Sequence, residues 1–215
     1  MPIIKDFKLD FSTRVLIWEI TEIESELKSG ITFSDDLSKK FESINLKYKR
    51  KEFLSKIRIL KILNYDYEFL SFKKSGKPFL NNNKKISISN SYGMVMIGIS
   101  NIDLGVDIEK AREKISRIKH KFINKSEKFI SNKNNEILML TKLWTAKEAI
   151  FKSSGKSGLS FSKQMNVLPF KSDEISGKAF VIDNGVIKHF SLIFVNLRGY
   201  YATIALPKQY YGNIS

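Results

Sequence analysis

Strands and helices are mixed along this chain and broken by hairpin turns, which predicts an α+β fold rather than a doubly wound parallel sheet. Three observations carry that class. Residues 179–182 and 186–195 alternate as strands around Asp183-Asn184-Gly185, and Arg198-Gly199 precedes another strand at 200–206. Residues 46–64 and 134–153 have helical spacing and are too long for strands. A break near Asn101 separates residues 1–101 from 102–215, two halves of similar size.

The elements follow in order. Residues 13–21 (TRVLIWEIT) read as a strand and 23–29 as a short helix. Ser34 is placed to cap the next helix, with Asp35 and Asp36 in its first turn. In the helix at 46–64, Phe53, Leu54, Ile57, Leu60 and Leu63 form an apolar stripe. Its other face carries Lys47, Lys49, Arg50, Lys51, Lys56, Arg58 and Lys61, readable as a phosphate-facing stripe or a solvated surface. Residues 67–72 read as a strand. Gly76 permits a turn, and Pro78 stiffens the loop that bears Lys77. Residues 85–91, 94–100 and 104–108 read as strands, 115–120 and 125–131 as short helices. Gly155 and Gly158 end the long helix at 134–153. The chain from Pro207 reads as a frayed tail.

The 215 residues are 42% hydrophobic and include 16 Phe and 8 Tyr, enough to fill a core. There are no cysteines, which excludes disulfides, cysteine-ligated zinc and thiol catalysis. MPIIKDFKLD is no secretory signal, and no apolar run approaches the ~20 residues that span a bilayer, so a cytoplasmic protein is expected. The net charge of +15 points to a polyanionic partner or to a generic lysine-rich surface. His120 and His189 stand apart with no ligand cluster around them. No G-x-S-x-G, Walker or dinucleotide glycine pattern occurs.

The chemistry gathers between residues 104 and 152. In GVDIEK (105–110), Asp107 and Glu109 are spaced by two, so a strand aims both carboxylates the same way. In WTAKEAIFK (144–152), Trp144, Glu148 and Lys152 recur every four residues and share a helix face, beside Lys147. Three carboxylates and two ammonium groups converging would suit a divalent cation and a phosphate.

These motifs resemble those of the 4′-phosphopantetheinyl transferases. That family shows a G-[IV]-D-[IV]-E strand, then a [FW]-[ST]-x-K-E-[AS]-x-x-K helix. Here GVDIEK and W-T-A-K-E-A-x-x-K stand about thirty residues apart. Gly76-Lys77-Pro78 is similar to the family's G-K-P element, Ile88-Ser89-Asn90-Ser91 stands where it has I-S-H-S, and GKSGLSF (155–161) resembles its segment after the helix. The resemblance covers roughly residues 46–167. The chain is too long for the short trimeric type and is similar to the surfactin-synthetase-activating type.

That resemblance implies a monomer of two similar halves related by a pseudo-twofold, with the active site at their interface. It implies Mg²⁺-dependent transfer of the 4′-phosphopantetheine arm of coenzyme A to a serine of an acidic carrier protein, with release of 3′,5′-ADP. By carry-over, Asp107, Glu109 and Glu148 hold Mg²⁺, Glu148 aids deprotonation of the serine, and Lys147 and Lys152 neutralise phosphate. Lys77, Pro78, Ser89 and Asn90 line the adenosine and 3′-phosphate region, on the nucleotide side formed by residues 1–101. Arg50 and Arg58 are further phosphate candidates. Asn90 departs from the family histidine and carries no charge. It motivates an alternative, a non-catalytic coenzyme A or carrier-binding homologue. A nucleic-acid-binding protein is a third reading, carried by charge alone with no RRM, KH or zinc-finger pattern.

Overall fold

The computed structural model describes residues 2–10, 12–130 and 135–208. The chain divides into two compact units, Met1–Asn101 and Ile102–Ser215. Each combines an antiparallel sheet with helices, so the class is α+β.

In the first unit, β1 (Ile3–Lys8) and β2 (Arg14–Glu19) precede α1 (Glu24–Lys28), α2 (Asp35–Glu42) and α3 (Lys47–Ile62). A short ribbon of β3 (Leu70–Phe72) and β4 (Pro78–Leu80) follows, then β5 (Lys85–Ser91) and β6 (Met94–Ser100). The main sheet runs β1-β2-β6-β5. Its apolar face, with Leu16, Trp18, Val95 and Ile97, meets Leu54, Ile57 and Leu60 of α3. Ser34 caps α2 as its sequence position requires, its hydroxyl accepting from the Leu37 N–H.

The basic stripe of α3 is largely spent on the unit itself. Arg58 donates to the carbonyls of Glu26, Leu27 and Ser29, satisfying the open C-terminal end of α1. Arg50 pairs with Glu24 at 3.1 Å and lies 4.2 Å from the Phe41 ring centroid. Lys49 pairs with Glu52 at 2.8 Å.

In the second unit, β7 (Gly105–Lys110), α4 (Lys114–Ile118) and α5 (Glu136–Ser154) precede β8 (Met165–Val167), β9 (Ser176–Asp183), β10 (Val186–Leu197) and β11 (Tyr200–Pro207). The sheet order is β7-β11-β10-β9-β8. Leu143, Ala146 and Ile150 of α5 pack against Val181, Leu192 and Phe194 of the sheet. Burying each large aliphatic side chain contributes about 1.5–3 kcal/mol. α5 is enclosed nearly all round, so even Lys142 and Lys147 lie inside. Gly155, at φ 67°, ends it in the left-handed conformation.

Three strands of each sheet share an order. β6 lies between β2 and β5, and β11 lies between β7 and β10. In both, a strand is followed by the main helix and later by two strands, the last of which pairs with the first. Three hairpins close through two residues with positive φ: Tyr92-Gly93, Asn184-Gly185 and Arg198-Gly199. Turns of this kind match the right-handed twist of the flanking strands.

Several elements differ from the sequence expectation. Tyr67–Phe69 forms a 3₁₀ turn, so only Leu70–Phe72 is strand. The helix expected at 115–120 is α4 followed by a 3₁₀ turn at Lys119–Lys121. Lys125–Ile130 is 3₁₀, broken at Glu127. Ser131 and Asn134, at the edges of two expected helices, lie outside the described residues, as does the tail from Gln209. Pro207 and Lys208 are held: Pro207 belongs to β11, and the Lys208 N–H donates to the His189 carbonyl.

Candidate active site

The site is assembled where β7 crosses α5. Alternation along β7 puts Gly105, Asp107 and Glu109 on one face. Gly105 permits the crossing: a Cβ there would stand 1.8 Å from the Ala149 carbonyl oxygen and 2.7 Å from the Ser153 nitrogen. Only glycine lets strand and helix backbones approach so closely. β11 supports the other side of β7, with Thr203 opposite Asp107 and Tyr201 opposite Glu109.

At this separation the Lys152 ammonium donates to Asp107 Oδ1 at 2.6 Å and to the Val106 carbonyl at 3.1 Å. The Asp107 side chain is 5% exposed and that of Lys152 27%. Glu148 lies one turn before Lys152 on α5. Burial pushes its carboxyl from the usual 4.5 up to about 7; Asp107 adds to the rise, Lys152 opposes it, and Glu109 adds a smaller upward push. The three carboxylates therefore act on one another, with Lys152 as counter-charge.

Among the described residues, no group of three His, Cys, Asp or Glu side chains is arranged to hold a metal ion as placed. The donor chemistry nonetheless suits a hard divalent cation. Carboxylate oxygens are its preferred ligands, and a cation would offset both the burial and the repulsion from Asp107 and Glu109 that raise Glu148. Glu109 also rims a cavity of about 200 Å³ with Lys110, Arg112, Lys114, Thr141 and Trp144.

Lys147 requires a correction. The family resemblance implied that it neutralises phosphate, but the residue is fully buried. Its ammonium donates to Glu127 Oε2 at 2.7 Å and to the carbonyls of Phe122, Phe161 and Met165 at 2.6, 2.8 and 3.1 Å. Burial lowers its pKa, against the upward pull of Glu127. Every direction open to the ammonium is filled, so it acts inside the unit. Glu127, given no functional role in the sequence reading, completes the arrangement: Oε2 also accepts from the Asn124 N–H at 2.9 Å and Oε1 from the Val167 N–H at 3.0 Å. Lys142 is a second internal lysine, held by the carbonyls of Lys171, Ser172 and Glu174.

The remaining candidates belong to the first unit. Lys77 closes the β3–β4 turn, where its carbonyl accepts from the Lys73 N–H at 2.9 Å, and Pro78 starts β4. Ser89 and Asn90 are adjacent on β5, opposite Met96 and Val95 of β6, so their side chains point to opposite faces. Ser89 is buried and Asn90 half-buried. Arg58 is committed to α1 and Arg50 to Glu24 and Phe41, which removes the guanidinium groups expected as free phosphate ligands.

A family model described as the 4′-phosphopantetheinyl transferase superfamily matches residues 103–205, the segment that holds β7, α5 and β11. The chain is also 33% identical over 110 residues to the 4′-phosphopantetheinyl transferase gsp of Aneurinibacillus migulanus. That match takes in 49% of this chain and 46% of the relative, less than half of its length.

Proposed function

We propose that the chain transfers the 4′-phosphopantetheine arm of coenzyme A to a serine of an apo carrier protein, a reading supported by the match of residues 103–205 to the 4′-phosphopantetheinyl transferase superfamily model. The carrying observation is the crossing at Gly105, which brings Asp107 to Lys152 and puts Asp107 and Glu109 within electrostatic reach of Glu148.

In this reading the serine Oγ forms a bond to the phosphorus that bears pantetheine. The phosphorus–oxygen bond to the adenosine-side phosphate breaks, and 3′,5′-ADP leaves. The serine proton passes to a base. A carboxyl held at about 7 is matched to that task near neutral pH, which supports Glu148 in the role. Lys152, partly exposed and oriented by Asp107, supplies fixed positive charge toward the leaving phosphate. Asp107, Glu109 and Glu148 would hold Mg²⁺, whose charge offsets that of the pyrophosphate. Lys147 has no part in phosphate binding here. Lys77, Pro78, Ser89 and Asn90 are assigned to the coenzyme A nucleotide by the family motifs.

The reading extends to two similar halves, supported by the order that three strands of each sheet share. It also includes a cytoplasmic monomer acting on an acidic carrier. Among the described residues no helix is long and apolar enough to cross a membrane.

The test is to incubate the protein with coenzyme A, Mg²⁺ and a broad panel of apo carrier proteins, then weigh each carrier. A gain of one phosphopantetheine supports the proposal; no gain across the panel counts against it. Asn90 favours a second reading, a binder of coenzyme A without turnover. Calorimetric binding of coenzyme A with every carrier mass unchanged would establish that alternative.

A further inference from the structure

We infer that the buried Lys147–Glu127 pair is a positioning device that fixes the rotation of α5 at Glu148, and so serves the chemical step more than the binding of coenzyme A. This inference rests on the transferase reading above.

Both side chains are wholly buried. A buried ion pair is a poor means of stabilising a fold, because desolvating both charges consumes most of what their attraction returns. Apolar side chains of similar size would fill the space as well. What they would not supply is direction. Lys147 and Glu127 together make polar contacts to Phe122, Asn124, Phe161, Met165, Val167 and each other, the three N–H groups of Lys147 being shared among four acceptors. These tie two separate segments of the unit, 122–127 and 161–167, to a single point on α5.

That point adjoins Glu148. On its other side, the Ala149 carbonyl abuts Gly105 of β7 at a distance that excludes a methyl group. Glu148 therefore stands between two neighbours, one locked to the segments at 122–127 and 161–167, the other locked to β7. Neither can turn about the helix axis without breaking its contacts.

The same clamp sets Trp144, one turn earlier on the Glu148 face. The rings of Phe122 and Phe161, whose carbonyls accept from Lys147, lie 5.1 and 5.5 Å from the Trp144 ring. Trp144 lines the cavity with Glu109. Slackening the clamp would thus move the carboxylate and that cavity wall together.

The experiment combines Lys147→Met and Glu127→Gln in one chain, so that neither charge is left stranded. A Trp18→Phe background makes Trp144 the sole tryptophan of the two present. The double variant should melt cooperatively and bind coenzyme A within about twofold of the parent. Its kcat should fall by about tenfold or more, since small displacements of reacting groups carry large rate losses. Trp144 emission should shift to the red without any turnover. Parental kcat and parental emission in a folded double variant would overturn the inference. If the parent itself transfers nothing, the reaction reading fails, and unchanged emission would still refute the clamp. If the double variant does not fold, Glu127→Gln alone decides: a smaller loss of kcat at unchanged coenzyme A affinity supports the device, and parental kcat refutes it.

Discussion

Glu148 titrates near neutrality because burial works against its charge and Asp107 and Glu109 add to that effect. A carboxyl raised from 4.5 to about 7 on folding keeps its proton in the folded state while the unfolded chain has lost it. The folded protein is favoured below about pH 4.5, and that margin drains away as pH rises to 7. For this half-buried group the loss is up to about 3 kcal/mol. Urea denaturation of the metal-free protein at pH 5 and pH 8 should show it, and Glu148→Gln should shrink the difference. Mg²⁺ should raise the melting temperature more at pH 8 than at pH 5, and Asp107→Asn should cancel that gain. On activity, Asp107→Ala and Glu148→Ala should each cut transfer by about a hundredfold or more while the far-ultraviolet circular dichroism stays parental. Retained transfer in either would break the proposed site. Asn90→His should tighten coenzyme A binding by calorimetry if the missing charge matters. The carboxylates were legible because strand and helix periods fix which residues share a face. The fate of Lys147 was not, since its partner Glu127 reaches it through irregular chain that no periodicity marks.

At the scale of elements, the crossing of β7 and α5 is the contact on which the site depends. Gly105→Ala would drive a methyl group into helix backbone, which cannot step aside as a side chain can. The expected loss is about 3 kcal/mol or more by urea denaturation, with transfer lost in parallel. Gly177→Ala offers a comparison, because its methyl would meet the Phe194 ring, a side chain able to shift. A smaller loss is expected there, and equal losses would contradict the account of Gly105. Turn chemistry made the β9–β10 and β10–β11 hairpins readable from Asn184-Gly185 and Arg198-Gly199. β1 and β8 escaped notice. IIKDFK does not alternate cleanly, and MNV is three residues long. Each is set by pairing with a neighbour, through β2 and β9 respectively, so the information lies outside its own residues.

At the scale of the whole molecule, the charge of +15 invited a reading in terms of polyanions. The structure divides that charge. Lys142, Lys147 and Arg58 serve carbonyls and carboxylates within their own units, so the count overstates what a partner meets. The surface lysines that remain would still favour encounter with an acidic carrier. Raising salt from about 0.05 to about 0.5 M should raise the KM for the carrier several-fold and leave kcat nearly unchanged, since screening acts on exposed charges. A salt-independent KM would remove charge from the account of carrier recognition.

The position of β11 between β7 and β10 has a consequence for how the protein is made. On the ribosome, β7 emerges carrying Asp107 and Glu109, and α5 follows with Glu148 and Lys152. The strand that pairs with β7 is synthesised only after both. Until Tyr200–Pro207 has appeared, β7 lacks its β11 partner, and Asp107 has no Thr203 opposite it. Such long-range pairing forms slowly, because a wide loop must close before any bond rewards it. Nascent chains halted before residue 200 should therefore lack the added hydrogen-exchange protection that β11 gives the 105–110 amides facing it, and that increment should arrive in one step once β11 is free of the exit tunnel.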